Sequence, residues 1–345
     1  MRKFCLKALA ALAFAGLLCA VNCYFDTFNV FHWKNIRITG ASSNANFIKT
    51  KYILSEKKKF NAFIFGSSRV GDIPQDKLPA ERDGVPLRWY NMTYPLGTPS
   101  EQYLTLETFL KNGVQVEMVL LGFDELAMYQ SIEEHKSELA RLPYQMYEEN
   151  KFSFYKNYVQ KTVPLSIAKQ ILKYNEKEHE EERDFFYSYG GVPLTLVVDE
   201  DPRPERFEPI CAVEYLKKEA PKDILNIAAL CKERGIELIL FTNPLYKSTY
   251  LEAVKGGYFD FLKDVAQGCE FYNFSSLNNY TTDTRYYFES THYRPILGLA
   301  LEEFLFGSEA EREKIKSAAG DGLFGQKINS KNVDEIVKRL EAQLD

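Results

Sequence analysis

Three kinds of residue in this chain, a serine, a histidine and a carboxylate, can build a site of nucleophilic chemistry if the fold brings them together. Residues 60–69 read FNAFIFGSSR, where the apolar run Ala62-Phe63-Ile64-Phe65 stops at Gly66 and Ser67, Ser68 and Arg69 follow. A short apolar run ended by glycine has the pattern of a buried parallel strand, and open α/β sheets present ligands at the carboxyl ends of such strands. A serine hydroxyl placed there is a weak nucleophile until a base takes its proton. Far downstream, FESTHYRP places Glu289 three residues before His292. At that spacing a carboxylate can orient one imidazole nitrogen across a tight loop and leave the other to act as base. The plain alternative is a strand-to-helix turn with a serine cap. The joint placement of both motifs at one sheet edge favours chemistry over the cap.

An alternating strand and helix pattern would position them. Strands are expected at 62–65, 87–94, 116–123, 236–241 and 270–274, and helices at 98–111, 221–234, 249–266 and from Pro295 to about residue 306. Thr98, Pro99 and Glu101 form a capping-box start for the first of these helices. Five short strands alternating with helices imply a mainly parallel sheet with helices on both faces. Residues 126–210 break the rhythm and form an insertion with two readings, a substrate platform on the active-site side of the sheet and a peripheral helical cap. It includes a charged run at 176–184 containing His179. Residues 26–59 are expected as a connector in which His32 packs rather than ligates. Residues 308–345 are expected as a charged, helical, peripheral extension.

Composition narrows the classes further. The chain has 345 residues, 26 % of them charged, with a net charge of −5. No basic stripe is present, which argues against a nucleic-acid partner. No cofactor motif occurs, and no His/Cys/Asp/Glu set has metal-ligand spacing. Cys211, Cys231 and Cys269 are an odd set for an exported domain, and at most one disulfide can form among them. The N-terminus carries Arg2, Lys3 and Lys7 before an apolar run from Ala8 to Val21. That is the pattern of an export signal. Without a clean small-residue cleavage site, an uncleaved single-pass anchor is preferred over a cleaved peptide. The positive-inside bias places the remainder outside the cytoplasm.

FIFGSSR and FESTHYRP together resemble the first and last blocks of the SGNH (GDSL-type) hydrolase superfamily. The resemblance covers roughly residues 60–125 and 235–306. It implies a flavodoxin-like three-layer α/β/α fold with Ser68 as nucleophile, Glu289 in place of the usual terminal Asp, and His292 as base. It maps a second oxyanion-hole glycine to Gly97 in TYPLGTP, beside the Ser68 N–H. The third block falls on Gly122-Phe123-Asp124-Glu125, which puts Asp124 where the family has an asparagine donor. An ionised Asp cannot donate a hydrogen bond; Asn91 and Asn243, each near a strand end, are the substitutes. Arg69 has two readings, a grip on a substrate phosphate or carboxylate and a salt bridge pinning the serine turn.

Within the superfamily the chain is similar to the membrane-anchored extracytoplasmic branch of the D-alanyl-lipoteichoic acid transfer protein and alginate-type O-acetylation proteins. The resemblance implies a serine esterase or O-acyltransferase acting on an acylated cell-envelope polysaccharide or polymer, alongside a membrane-bound O-acyltransferase. The competing reading keeps the fold without catalysis, as a binding or assembly subunit for such a membrane enzyme.

Overall fold

A strand buried on both faces needs apolar side chains in both directions, and the central strands meet that need. In a computed structural model, describing residues 2–39, 43–130, 141–160, 165–209, 214–216, 219–320 and 322–344, six strands form the main sheet. They are β1 (Ala62–Phe65), β2 (Trp89–Asn91), β3 (Met118–Phe123), β4 (Glu237–Thr242), β5 (Phe271–Asn273) and β6 (Gln326–Ile328). Their order is β2-β1-β3-β4-β5-β6, parallel throughout except for β6, which runs antiparallel to β5. The period-2 alternation of strands divides the side chains cleanly. Phe63, Phe65, Val119, Leu121 and Phe123 enter one core, and Ala62, Ile64, Met118 and Leu120 enter the other.

The helices labelled here are α1 (Arg2–Phe25), α2 (Ala45–Ser55), α3 (Pro99–Lys111), α4 (Glu180–Tyr189), α5 (Lys222–Arg234), α6 (Lys247–Lys255), α7 (Tyr258–Ala266), α8 (Pro295–Phe306), α9 (Glu309–Ala319) and α10 (Val333–Glu341). Helices α3, α5, α6, α7 and α10 fill the first core; α8 and α9 fill the second. A third cluster joins Phe47 and Ile48 of α2 to Phe154, Tyr158 and Phe186 of the insertion.

Five expectations change. The sheet has six strands rather than five, because β6 reads Gln-Lys-Ile and carries no apolar run. The C-terminal extension is not peripheral: β6 completes the sheet, and Val333, Ile336, Val337 and Leu340 of α10 are buried in the first core. The connector contains α2, whose Asn44 cap accepts from the Phe47 N–H. The helix expected at 249–266 is two helices, parted at Gly256-Gly257 where Gly257 has φ +104°. Helix α3 begins after Thr98 with Pro99 in its first turn, but the Thr98 side chain makes no capping bond. Glu101 instead accepts from the Tyr94 hydroxyl at 2.7 Å.

Helix α1 is long and apolar enough to cross a membrane over its 23 residues Lys3–Phe25, none of them buried against the rest of the protein in the most apolar stretch. A signal sequence has the same properties. Its C-terminal end is tied to the insertion: Asn22 donates to the Val159 carbonyl at 2.6 Å, and Tyr158 donates to Asp26 at 2.7 Å. His32 packs there too, with Nδ1 2.7 Å from Asp26 Oδ2. Cys231 and Cys269 are free thiols, and Cys211 lies outside the described residues.

Glu302 on α8 is a buried acid with consequences for stability. It is 6 % exposed, and its Oε2 finds no partner among the described residues. Burial pushes its carboxyl up to about 8, helped by Asp76 and Glu303 and opposed by Lys77. A carboxyl held above its unfolded value stabilises the fold below about 4.5 and loses that contribution as pH rises through about 8. Glu302→Gln is therefore expected to raise stability by about 1–3 kcal/mol at pH 9 and leave it unchanged at pH 4. Urea melts at the two pH values check this, and equal shifts at both would rule it out.

Candidate active site

The turn after β1 depends on Gly66. Its φ is +153°, and an added Cβ would lie 2.2 Å from the Val70 side chain and 2.9 Å from the Gly122 carbonyl oxygen. Only glycine fits so closely between β1 and β3. The chain then turns through Ser67 and Ser68 into a short helical turn at Val70–Asp72. Gly71 N–H closes it on the Ser68 carbonyl at 3.1 Å. Ser68 sits at the carboxyl edge of the parallel strands.

The second motif is a narrow loop between Tyr287 and Tyr293, which pair across it as an antiparallel bridge. The Phe288 N–H donates to the His292 carbonyl at 2.9 Å. Tyr287 donates to the Pro244 carbonyl at 2.9 Å and Tyr293 to Asn243 Oδ1 at 3.2 Å, which pins the loop to the end of β4. Arg294 stacks on Phe288, 4.4 Å from its centroid.

These two turns bring Ser68 and His292 together across 224 residues of sequence, with Ser68 Oγ 2.7 Å from His292 Nε2. His292 Nδ1 meets Glu289 Oε1 in a short contact. A carboxylate only accepts, so the proton lies on Nδ1 and Nε2 is the acceptor for the serine hydroxyl. Thr291 completes the set, donating from its N–H to Glu289 Oε2 at 2.9 Å and from its hydroxyl to Oε1 at 2.6 Å. Burial pushes the Glu289 carboxyl up, but bonds from His292 and Thr291 outweigh it and bring it down to about 2. The carboxylate thus stays ionised across the neutral range.

The expected oxyanion donors are placed very differently from one another. The Gly97 N–H donates to the Tyr94 carbonyl at 3.0 Å, closing a turn in which Leu96 takes φ +54°. It is engaged in the turn rather than offered to a substrate. Asp124 is a buried acceptor, receiving Ser67 Oγ at 2.7 Å, the Leu126 N–H at 3.0 Å and Asn243 Nδ2 at 3.3 Å. Asn243 is engaged at both ends, by Asp124 and Tyr293, and fully buried. Asn91, at the end of β2, shares a cleft with Ser68. Its Oδ1 accepts from the Thr93 N–H at 2.8 Å and the Thr93 hydroxyl at 2.6 Å. A backbone N–H can only donate, so this fixes the amide and leaves Nδ2 as its donor end. No acceptor among the described residues engages the Ser68 N–H.

Arg69 is 3 % exposed and forks onto Glu125, with Nη2 2.6 Å from Oε1 and Nη1 on Oε2; Nη1 also lies 3.2 Å from Asp124. Of its two readings, the geometry gives the salt bridge that pins the serine turn. The substrate grip is not available to a guanidinium held this way.

The cleft beside Ser68 has a volume of about 380 Å³. One wall comes from the insertion, through Gly190, Gly191, Val192 and Leu194. Gly190 closes α4 at φ +82°, where a Cβ would lie 2.3 Å from the Asn91 carbonyl oxygen. The insertion is therefore seated directly on β2. His179 lies away from the cleft, stacked on Tyr174. Two further cleft residues went unnoticed in the sequence, Asp72 and Lys49. Burial pushes the Asp72 carboxyl up to about 7, with His292 lowering and Glu289 raising it. Asp72 follows Ser68 by four residues, so its proximity was a legible signal; nothing local marks Lys49. Among the described residues no group of three or more His, Cys, Asp and Glu could hold a metal ion.

Comparison of the sequence with models of known protein families finds no match, and comparison with curated proteins finds none either.

Proposed function

We propose that this protein is an SGNH-type serine esterase or O-acyltransferase with a Ser68-His292-Glu289 triad. The observation that carries this reading is the line from Ser68 Oγ to His292 Nε2, at 2.7 Å, and on from Nδ1 to Glu289. The strand order β2-β1-β3-β4-β5 supports it, since it matches the flavodoxin-like order with the site at the carboxyl ends. Ser68 Oγ attacks an ester carbonyl and gives its proton to His292 Nε2. Glu289 stabilises the imidazolium, which then protonates the leaving alcohol. In this reading the Ser68 N–H and Asn91 Nδ2 receive the oxyanion, because both are donors in the same cleft and neither has an acceptor among the described residues. Water or a sugar hydroxyl, deprotonated by His292, attacks the acyl-serine and releases the acyl group. With α1 as an export anchor, the substrate is an acylated polymer of the cell envelope, handled beside a membrane-bound O-acyltransferase.

A second reading, a non-catalytic binding or assembly subunit, draws on the engaged Gly97 N–H and the acceptor-only Asp124. A fluorophosphonate probe on the full-length chain in detergent separates the two. One label per chain on Ser68, with a burst of p-nitrophenol from p-nitrophenyl acetate, is the expected result. An unlabelled Ser68 and no burst would leave the binding subunit as the surviving reading.

A further inference from the structure

Two cations are buried near this site, and the fold treats them oppositely. Arg69 has two carboxylates around its guanidinium. Lys49, on α2, is 4 % exposed, and among the described residues its Nζ has one hydrogen-bond partner, the Thr93 carbonyl at 2.6 Å. An ammonium carries three donors, so one bond leaves two unspent. Among the described residues no carboxylate lies within ion-pair distance of Nζ. The Phe186 ring lies beneath Nζ, its centroid 5.9 Å away. A buried charge without a counter-ion is costly, and proteins normally pair it or neutralise it. Burial alone holds the Lys49 ammonium down to about 7.

Lys49 is not buried in a core of its own. It lines the cleft that contains Ser68 and Asn91, and the Thr93 that holds it also fixes the Asn91 amide. Asp72 lies in the same cleft but makes no ion pair with Lys49. The missing counter-ion is therefore best supplied by whatever enters the cleft.

We propose that Lys49 is the anion-binding anchor of this cleft, so that the ester substrate carries a carboxylate or phosphate held by Lys49 Nζ while its acyl group faces Ser68. The acyl half of this statement rests on the esterase reading above. The anion half rests on Lys49 alone and is tested without turnover. Both a uronate and a phosphodiester backbone present the required charge, and separate arms of one experiment distinguish them.

Full-length Ser68→Ala protein in detergent is titrated calorimetrically with three probes: an acetylated oligouronate, a glycerol-phosphate oligomer, and an acetylated neutral oligoglucan. One anionic oligomer is expected to bind at least about tenfold more tightly than the neutral one, as for a single charge-assisted contact. Whichever anionic arm binds identifies the source of the charge. Lys49→Met in the same background is expected to erase that margin, and Lys49→Arg to keep most of it. Equal binding of neutral and anionic oligomers by the Lys49-containing protein would overturn the proposal without recourse to any Lys49 variant. So would a margin that survives Lys49→Met. Neither result bears on whether Ser68 is a nucleophile, which the fluorophosphonate label decides separately.

Discussion

Full-length Ser68→Ala and His292→Ala proteins are each expected to lose at least about 10³-fold in kcat for p-nitrophenyl acetate while melting within a few degrees of the unaltered chain. The reason is geometric. Among the described residues the base in hydrogen-bond contact with Ser68 Oγ is His292 Nε2, at 2.7 Å. Without that base the hydroxyl is not activated, and without the hydroxyl the imidazole has nothing to deprotonate. Combining the two changes is expected to cost little more than either alone, because the pair acts as a unit. Glu289→Gln tests the third member. A glutamine amide turned toward Nδ1 would donate to it, forcing the proton onto Nε2 and removing the acceptor for Ser68. A loss of about 10³–10⁴-fold is expected, with slower fluorophosphonate labelling of Ser68 and an intact fold. Because the Glu289 carboxyl is brought down to about 2, activity should show no acid limb from this residue above pH 4. Its depressed value also means that the stability it contributes is present above about 4.5 and lost as pH falls toward 2. Steady-state kinetics on the three variants decide the matter. If Ser68→Ala retained the original rate, the hydrolysis would belong to another group and the triad would be a structural hydrogen-bond chain.

Much of this site is legible in sequence because two of its parts are local. A parallel strand buried on both faces must be a continuous apolar run, and Ala62 to Phe65 is one, ended by a glycine that no other residue can replace. Glu289 and His292 are three residues apart, so their contact needs only a tight loop. What joins the halves is topology: both turns fall at one edge of one sheet. The parts that escaped are those that tertiary packing decides. β6 is three mostly polar residues whose pairing to β5 leaves no periodic trace. Lys49 is one lysine among several in its segment, and only the packing of α2 against the insertion buries it. Gly97 has the right type and place for an oxyanion donor, yet its N–H closes the turn on Tyr94. Sequence gives the residue, but not the direction in which its N–H points.

Arg69 carries the largest expected stability effect, and it separates a pinning role from a substrate-binding one. The guanidinium sits between Glu125 and Asp124, all three buried, and Asp124 in turn holds the Ser67 hydroxyl at 2.7 Å. Removing one member of a buried ion pair leaves uncompensated charge behind and typically costs about 3–5 kcal/mol. Arg69→Ala is expected to cost that much, read as a fall in the urea midpoint with an unchanged m-value. Burial already pushes the Glu125 carboxyl up while Arg69 holds it down, so without Arg69 the acid must take up a proton. The penalty should therefore grow as pH rises from about 5 to 8. Arg69→Met combined with Glu125→Gln removes the cation and one of its two anions together, and is expected to recover a large part of the loss. A guanidinium used only to grip a substrate would behave otherwise: Arg69→Ala would leave stability within about 0.5 kcal/mol and act on KM. Because the fork is anchored at the residue after Ser68, the pinning role also predicts that the Arg69→Met, Glu125→Gln protein regains its fold before it regains turnover. The network that stabilises the turn is also what holds Ser68 at hydrogen-bond distance from His292.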